Sequence, residues 1–217
     1  MWLPGHLAVS FLACTPVLLY SRKQGEDWTL ALSYVAFFAV LPDFLHIDDL
    51  RIVSHSLFGL IALVSMALVV LSLFSEVRKS QVLIASVAAG AHLFADWMFG
   101  HFFPLFPLSQ EYESLNTFNT YMDVRVEIAF SAIAIVVFVT ILIPRRATQR
   151  PVLAGKRDIW SFLVLLLPFL AIALLETTYF VQNMMTVGVT FTRLILLSLF
   201  VIPVGGTLIA IKGLLER

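Results

Sequence analysis

The sequence predicts an all-α integral membrane protein, a helical bundle of about seven transmembrane helices with the N-terminus outside and the C-terminus inside. Three observations lead there. Of the 217 residues, 60% are hydrophobic and only 13% charged, whereas a soluble domain has about 25% charged residues. Mean hydropathy is +0.95. Apolar stretches of the length a bilayer requires, about 20 residues each, recur between short polar breaks. The 14 Lys and Arg residues also fall unevenly on alternating breaks, 11 on one side and three on the other. Such an excess marks the cytoplasmic side.

The expected spans are 4–20, 28–46, 54–74, 81–103, 126–143, 159–180 and 191–212. The first opens without any Lys or Arg before Arg22. It therefore lacks the cationic start of a secretory signal and reads as a retained membrane helix. Breaks such as "SRKQGED", "SEVRKS" and "PRRATQRPVLAGKRD" carry the inner-side cations, while Arg51, Arg125 and Arg193 lie on the outer side. The 18-residue stretch 107–124, with Tyr112 and Tyr121, is polar and long enough for a lid; loops of this length are usually functional or disordered.

The composition also sets exclusions. Net charge is zero with no basic cluster on a polar face, so nothing points to nucleic acid. The single Cys14 rules out an internal disulfide and a cysteine-cluster metal site, and reads as a small buried hydrophobe.

Against this background the ionisable groups stand out. His6 opens span one, Asp43 and His46 close span two, and His55 opens span three, all on the outer side. Span four runs outward and carries His92 near mid-depth, Asp96 in its outer half and His101 near its outer boundary. A charge at the centre of a membrane helix costs about 2.5–3.5 kcal/mol on insertion scales, so groups gathered at one depth require compensation. A metal ion, a proton or ion pathway, or mutual hydrogen bonding would each supply it.

Spacing favours the metal. His92 and Asp96 are four residues apart, on one helix face with Cβ atoms about 5–6 Å apart, and one ion can bridge such a pair. Asp43 and His46 share a face if the helix continues, or are turned into a cavity if Pro42 breaks it. His6 and His55 each add a ligand from a neighbouring helix start. The candidate ligands are thus His6, Asp43, His46, His55, His92 and Asp96, a nitrogen and oxygen set suited to one or two ions of zinc, manganese or iron.

These motifs resemble, over roughly the first 110 residues, the YdjM-like family of membrane-associated metal-dependent hydrolases. "PGHLAVS" carries the N-terminal His, "LPDFLH" is similar to the family's PDxDH element, and "LRIVSHS" is similar to HRGxTHS. His92 and Asp96 match the HxxxD helix that ends in "PLS", present here as "FPLS". Two positions depart from the pattern: Leu45 replaces the second acidic residue of PDxDH, and Leu50 replaces the His before Arg51. Asp48 or Asp49 would have to substitute, or the site holds fewer ions. The resemblance divides the chain into a YdjM-like domain, 1–125, and three further helices of the same membrane unit, 126–217.

The resemblance implies hydrolysis of a phosphoester or ester, with a lipid or lipid-linked substrate entering from the outer leaflet of the cell membrane. A divalent ion, zinc above all, would supply Lewis acidity. Asp96 would double as proton acceptor, Arg51 would hold an anionic phosphate, and His101 would donate a proton from behind the ligands. Ser56 reads as the cap of span three, since neither GxSxG nor SxxK surrounds it. Glu176 reads as a helix–helix hydrogen-bond partner or an accessory site residue. The alternative is a proton- or ion-coupled transporter using the same His/Asp groups. It requires polar residues continuing to the inner face, and spans three, five and seven show almost none there.

Overall fold

The computed structural model describes residues 3–26, 28–45, 50–73, 76–100, 102–109, 111, 113, 115 and 124–142. The expected spans 159–180 and 191–212 lie outside the described residues, as do His46, Asp48, Asp49, His101, Tyr112, Tyr121 and Glu176.

The described residues are helical, with helices α1 (Leu3–Lys23), α2 (Trp28–Val40), α3 (Leu50–Ser54), α4 (Leu57–Ser72), α5 (Lys79–Phe99) and α6 (Val124–Val137). A 3-10 turn, Leu41–Leu45, follows α2, and a π-helical turn, Phe138–Leu142, extends α6. Among the described residues two helices are long and apolar enough to cross a membrane: Pro4–Lys23 and Lys79–Phe99, with mean hydropathies of 1.2 and 1.6. At 1.5 Å per residue each reaches about 30 Å, the thickness of a bilayer core. Apolar side chains remain exposed on the outward faces, Ile61, Met66 and Val69 on α4 and Ile133 and Val136 on α6 among them.

The core is the antiparallel pair α1 and α5, with α2 packed against both and α6 against α1. On α1 the buried positions include His6, Ser10, Cys14, Leu18 and Ser21, a stripe of three- and four-residue steps. The facing stripe of α5 is built on Ile84, Ala85, Ala88, Ala89 and His92. Small side chains let two backbones approach closely, which is how helices associate where lipid removes the hydrophobic drive. The register is visible in the cross-helix contacts. Ser10 Oγ donates to the Ala88 carbonyl at 2.9 Å, Cys14 Sγ to that of Ile84 at 3.6 Å, and the His6 and His92 rings stack. At the far end Glu26 accepts hydroxyls from both Ser21 and Ser80, fixing the same pair of helices.

Ser10 and Cys14 therefore serve as helix–helix contacts, and Leu18 and Ile84 are buried in the seam between the two polar ends. Ser10→Ala is expected to destabilise the bundle by about 0.6 kcal/mol, the mean found for hydrogen bonds between membrane helices. Thermal unfolding in detergent with unchanged helical content would measure it.

Three expected boundaries shift, each for a local reason. The span expected to run to residue 46 changes helix type after Val40, because Pro42 has no N–H to continue an α-helical ladder. The span expected from residue 54 starts at Leu57 as α4, after a turn at His55 and Ser56 that separates it from the short α3. There Ser56 caps α4 by accepting from the Gly59 N–H at 3.0 Å, as expected of it. The span expected to reach 103 ends at Phe99.

Candidate metal centre

Two interruptions of regular helix and two intact helices bring the ionisable groups together. The 3-10 turn after α2 places Asp43, the break between α3 and α4 places His55, and the C-terminal half of α5 supplies His92 and Asp96. His6 arrives from the first turns of α1 along the stripe that also holds Ser10 and Cys14. All five side chains are at most 8% exposed.

The contacts are mutual. His55 Nε2 and His92 Nε2 lie 3.4 Å apart, and each is 3.3 Å from Asp96 Oδ2. Asp43 Oδ1 stands 3.4 Å from His55 Nε2 and 3.7 Å from His92 Nε2. The other oxygen of Asp96, Oδ1, is 3.3 Å from His6 Nε2.

Which nitrogen carries the proton follows from the far side of two of these rings. His92 Nδ1 is 2.6 Å from the Ala39 carbonyl oxygen, and His55 Nδ1 is 3.1 Å from that of Arg51. A carbonyl only accepts, so in both rings Nδ1 bears the hydrogen and donates it. In its neutral form such a ring turns the lone pair of Nε2 inward. The Ala39 carbonyl is available because the change of helix type beyond Val40 ends the α-helical ladder that would have occupied it.

Two inward lone pairs facing each other at 3.4 Å repel unless a cation lies between them. A proton would satisfy one such contact, whereas a metal ion satisfies the whole set. The triangle of His55 Nε2, His92 Nε2 and Asp96 Oδ2, with sides of 3.4, 3.3 and 3.3 Å, has the right size. Zinc bonds of about 2.0–2.1 Å to nitrogen and oxygen place tetrahedral ligands about 3.3–3.4 Å apart. His6, Asp43 and His92 form a second group whose ligand atoms all lie within 4.8 Å of one another. Nitrogen and carboxylate donors without thiolate suit zinc, manganese or iron.

The structure thus brings together five of the expected ligands, His6, Asp43, His55, His92 and Asp96, while His46 and His101 lie outside the described residues. Both oxygens of Asp96 face imidazole nitrogens. Arg51 is half-buried on α3 and enters the centre through its carbonyl, which receives His55.

Sequence reasoning missed Ser54. Its hydroxyl is fully buried, donates to the Arg51 carbonyl at 3.1 Å and lies 2.9 Å from His55 Nδ1, where its oxygen accepts. Its place directly before His55 was the available signal. Partners behind a ligating histidine typically contribute about 10–100-fold in metal affinity. Ser54→Ala is accordingly expected to weaken zinc binding about 10-fold, measurable by competition with a chromophoric chelator, with helical content unchanged.

The rim of the centre at the C-terminal end of α5 is bordered by the segment that follows it. Phe102 and Glu113 pair through two backbone hydrogen bonds, the Phe103 N–H donates to the His55 carbonyl at 3.0 Å, and the Leu115 N–H donates to that of Trp97 at 2.8 Å. An open, largely apolar groove lined by Trp97, Phe102, Pro104 and Glu113 lies on this rim.

No protein-family model, curated protein or solved structure matches the chain.

Proposed function

We propose that this chain is a membrane-embedded, metal-dependent hydrolase of the YdjM-like kind, acting on a phosphoester or ester of a lipid or lipid-linked substrate. One observation carries the reading. His55 and His92, each with Nδ1 committed to a carbonyl, present Nε2 with Asp96 Oδ2 as a triangle of metal-ligand dimensions.

When bound, a divalent ion supplies Lewis acidity, making water nucleophilic near neutral pH and stabilising negative charge on a phosphoryl or carbonyl oxygen. The residues hold and orient. The Ala39 and Arg51 carbonyls fix the two tautomers, Asp96 and Asp43 balance the ion's charge, and burial keeps bulk water from competing. Arg51, on the helix just before His55, is the residue to hold an anionic phosphate.

The membrane setting of the proposal is seven spans with the centre towards the extracytoplasmic side, as the basic residues suggest. The apolar groove beside the centre and the exposed leucines of the same segment, Leu105, Leu108 and Leu115, suit a substrate with a lipid tail.

Metal analysis of the detergent-purified full chain tests the reading, wild type beside His92→Ala, after equilibration with zinc and removal of loosely bound ions. Stoichiometric zinc in the wild type and its loss in the variant are expected. Equal, near-zero metal in both would remove the proposal.

A further inference from the structure

We infer that the centre holds two divalent ions, with Asp96 bridging them and His6 belonging to the second. The inference rests on the metal-centre reading above. Its starting point is the relation between two rings. The His6 and His92 imidazoles are stacked, with centroids 3.8 Å apart and planes inclined by 13°. Both Nε2 atoms face the same carboxylate, His92 at 3.3 Å from Oδ2 and His6 at 3.3 Å from Oδ1.

An imidazole binds a metal along its lone pair, which lies in the plane of the ring. An ion shared by two cofacial rings would stand out of both planes by close to half of 3.8 Å. That is nearly the whole length of a zinc–nitrogen bond of about 2.0–2.1 Å, so neither lone pair would be aimed at it. His6 and His92 consequently serve different ions. Ions in the planes of two stacked rings are separated by about the stacking distance, and two-metal sites have ions about 3.5–4 Å apart. The two oxygens of Asp96 are already divided in the matching way.

The first ion takes His55 Nε2, His92 Nε2 and Asp96 Oδ2. The second takes His6 and Asp96 Oδ1, with Asp43 within reach, since its carboxylate forms a group with His6 and His92 inside 4.8 Å. His6 differs from the other two rings on its far side. Its Nδ1 is buried and has no hydrogen-bond partner among the described residues. No carbonyl of the described residues sets its tautomer, so the second ion lacks the support given to the first. It is expected to bind about 10–100-fold more weakly, the contribution such partners make elsewhere.

The test uses the full chain in detergent. Zinc analysis should find two ions per wild-type chain, one of them released first by a graded chelator, and one ion per chain in His6→Ala. Loaded with manganese, the wild type should give the electron paramagnetic resonance spectrum of an exchange-coupled pair, and His6→Ala that of a single ion. One ion per wild-type chain would overturn the second site and leave the first standing; none would remove both. Two ions retained in His6→Ala would also overturn it. Should that variant not fold, the wild-type manganese spectrum decides alone: a coupled pair supports the inference and isolated ions refute it.

Discussion

Asp96→Asn is expected to cost the centre two to three powers of ten in zinc affinity. The substitution keeps the shape of the side chain and removes its charge. Asp96 faces three imidazoles, two through Oδ2 and one through Oδ1, each at 3.3 Å. Removing one partner from a buried set of charges typically costs about 3–5 kcal/mol, and each 1.4 kcal/mol is about tenfold in affinity. An amide also offers one oxygen where the carboxylate offers two, so the contacts on both sides cannot be kept. Competition against a chelator of known affinity would measure the loss. An unchanged affinity, with intact helical content and monodisperse elution, would show that Asp96 is not a ligand. Asp96→Ala should lose at least as much.

The second large effect is expected at a residue with no chemistry of its own. Gly59 lies in the first turn of α4, pressed against the end of α3. A Cβ added there would stand 1.7 Å from the Val53 carbonyl oxygen and 2.6 Å from its carbon. These are backbone atoms, so no side chain can swing away and the two helices must part. Overpacking of a tight contact costs about 1–3 kcal/mol, against a gain of at most about 1 kcal/mol from alanine's helix propensity. Gly59→Ala should therefore destabilise the protein, and it should also weaken metal binding, because His55 occupies the turn between those helices. Gly90 provides the control. It sits inside α5, where an added methyl group would meet nothing within 4 Å, and Gly90→Ala should be neutral or stabilising by up to about 1 kcal/mol. If thermal unfolding ranks the two variants equally, the close approach of Gly59 to Val53 does not hold.

Much of the centre was legible in the sequence, for a physical reason. Hydrocarbon rejects ionisable groups, so His6, Asp43, His55, His92 and Asp96 stood out against their apolar surroundings, and placing the spans put them at one depth. The cap at Ser56 was legible from its place at the start of a span, outside any nucleophile motif. What could not be read were the groups that act through the main chain. The carbonyls of Ala39 and Arg51 set the tautomers of His92 and His55, yet a carbonyl has no letter in the sequence. Nor does hydropathy report the stacking of His6 on His92, which depends on the register of α1 against α5. Helix ends were displaced for a related reason: apolarity continues past Val40, while the α-helical hydrogen bonding does not.

That register carries a consequence for biogenesis. His6 lies close to the start of the chain, and the ring it stacks on, His92, belongs to a helix made much later. While the polypeptide is being synthesised, the first helix emerges long before its partner has left the ribosome. A ligand set complete enough to trap an ion exists only after α5 has been inserted and docked. On the proposed metal reading, loading is a late event of maturation, and truncated products ending before α5 should be unable to retain zinc.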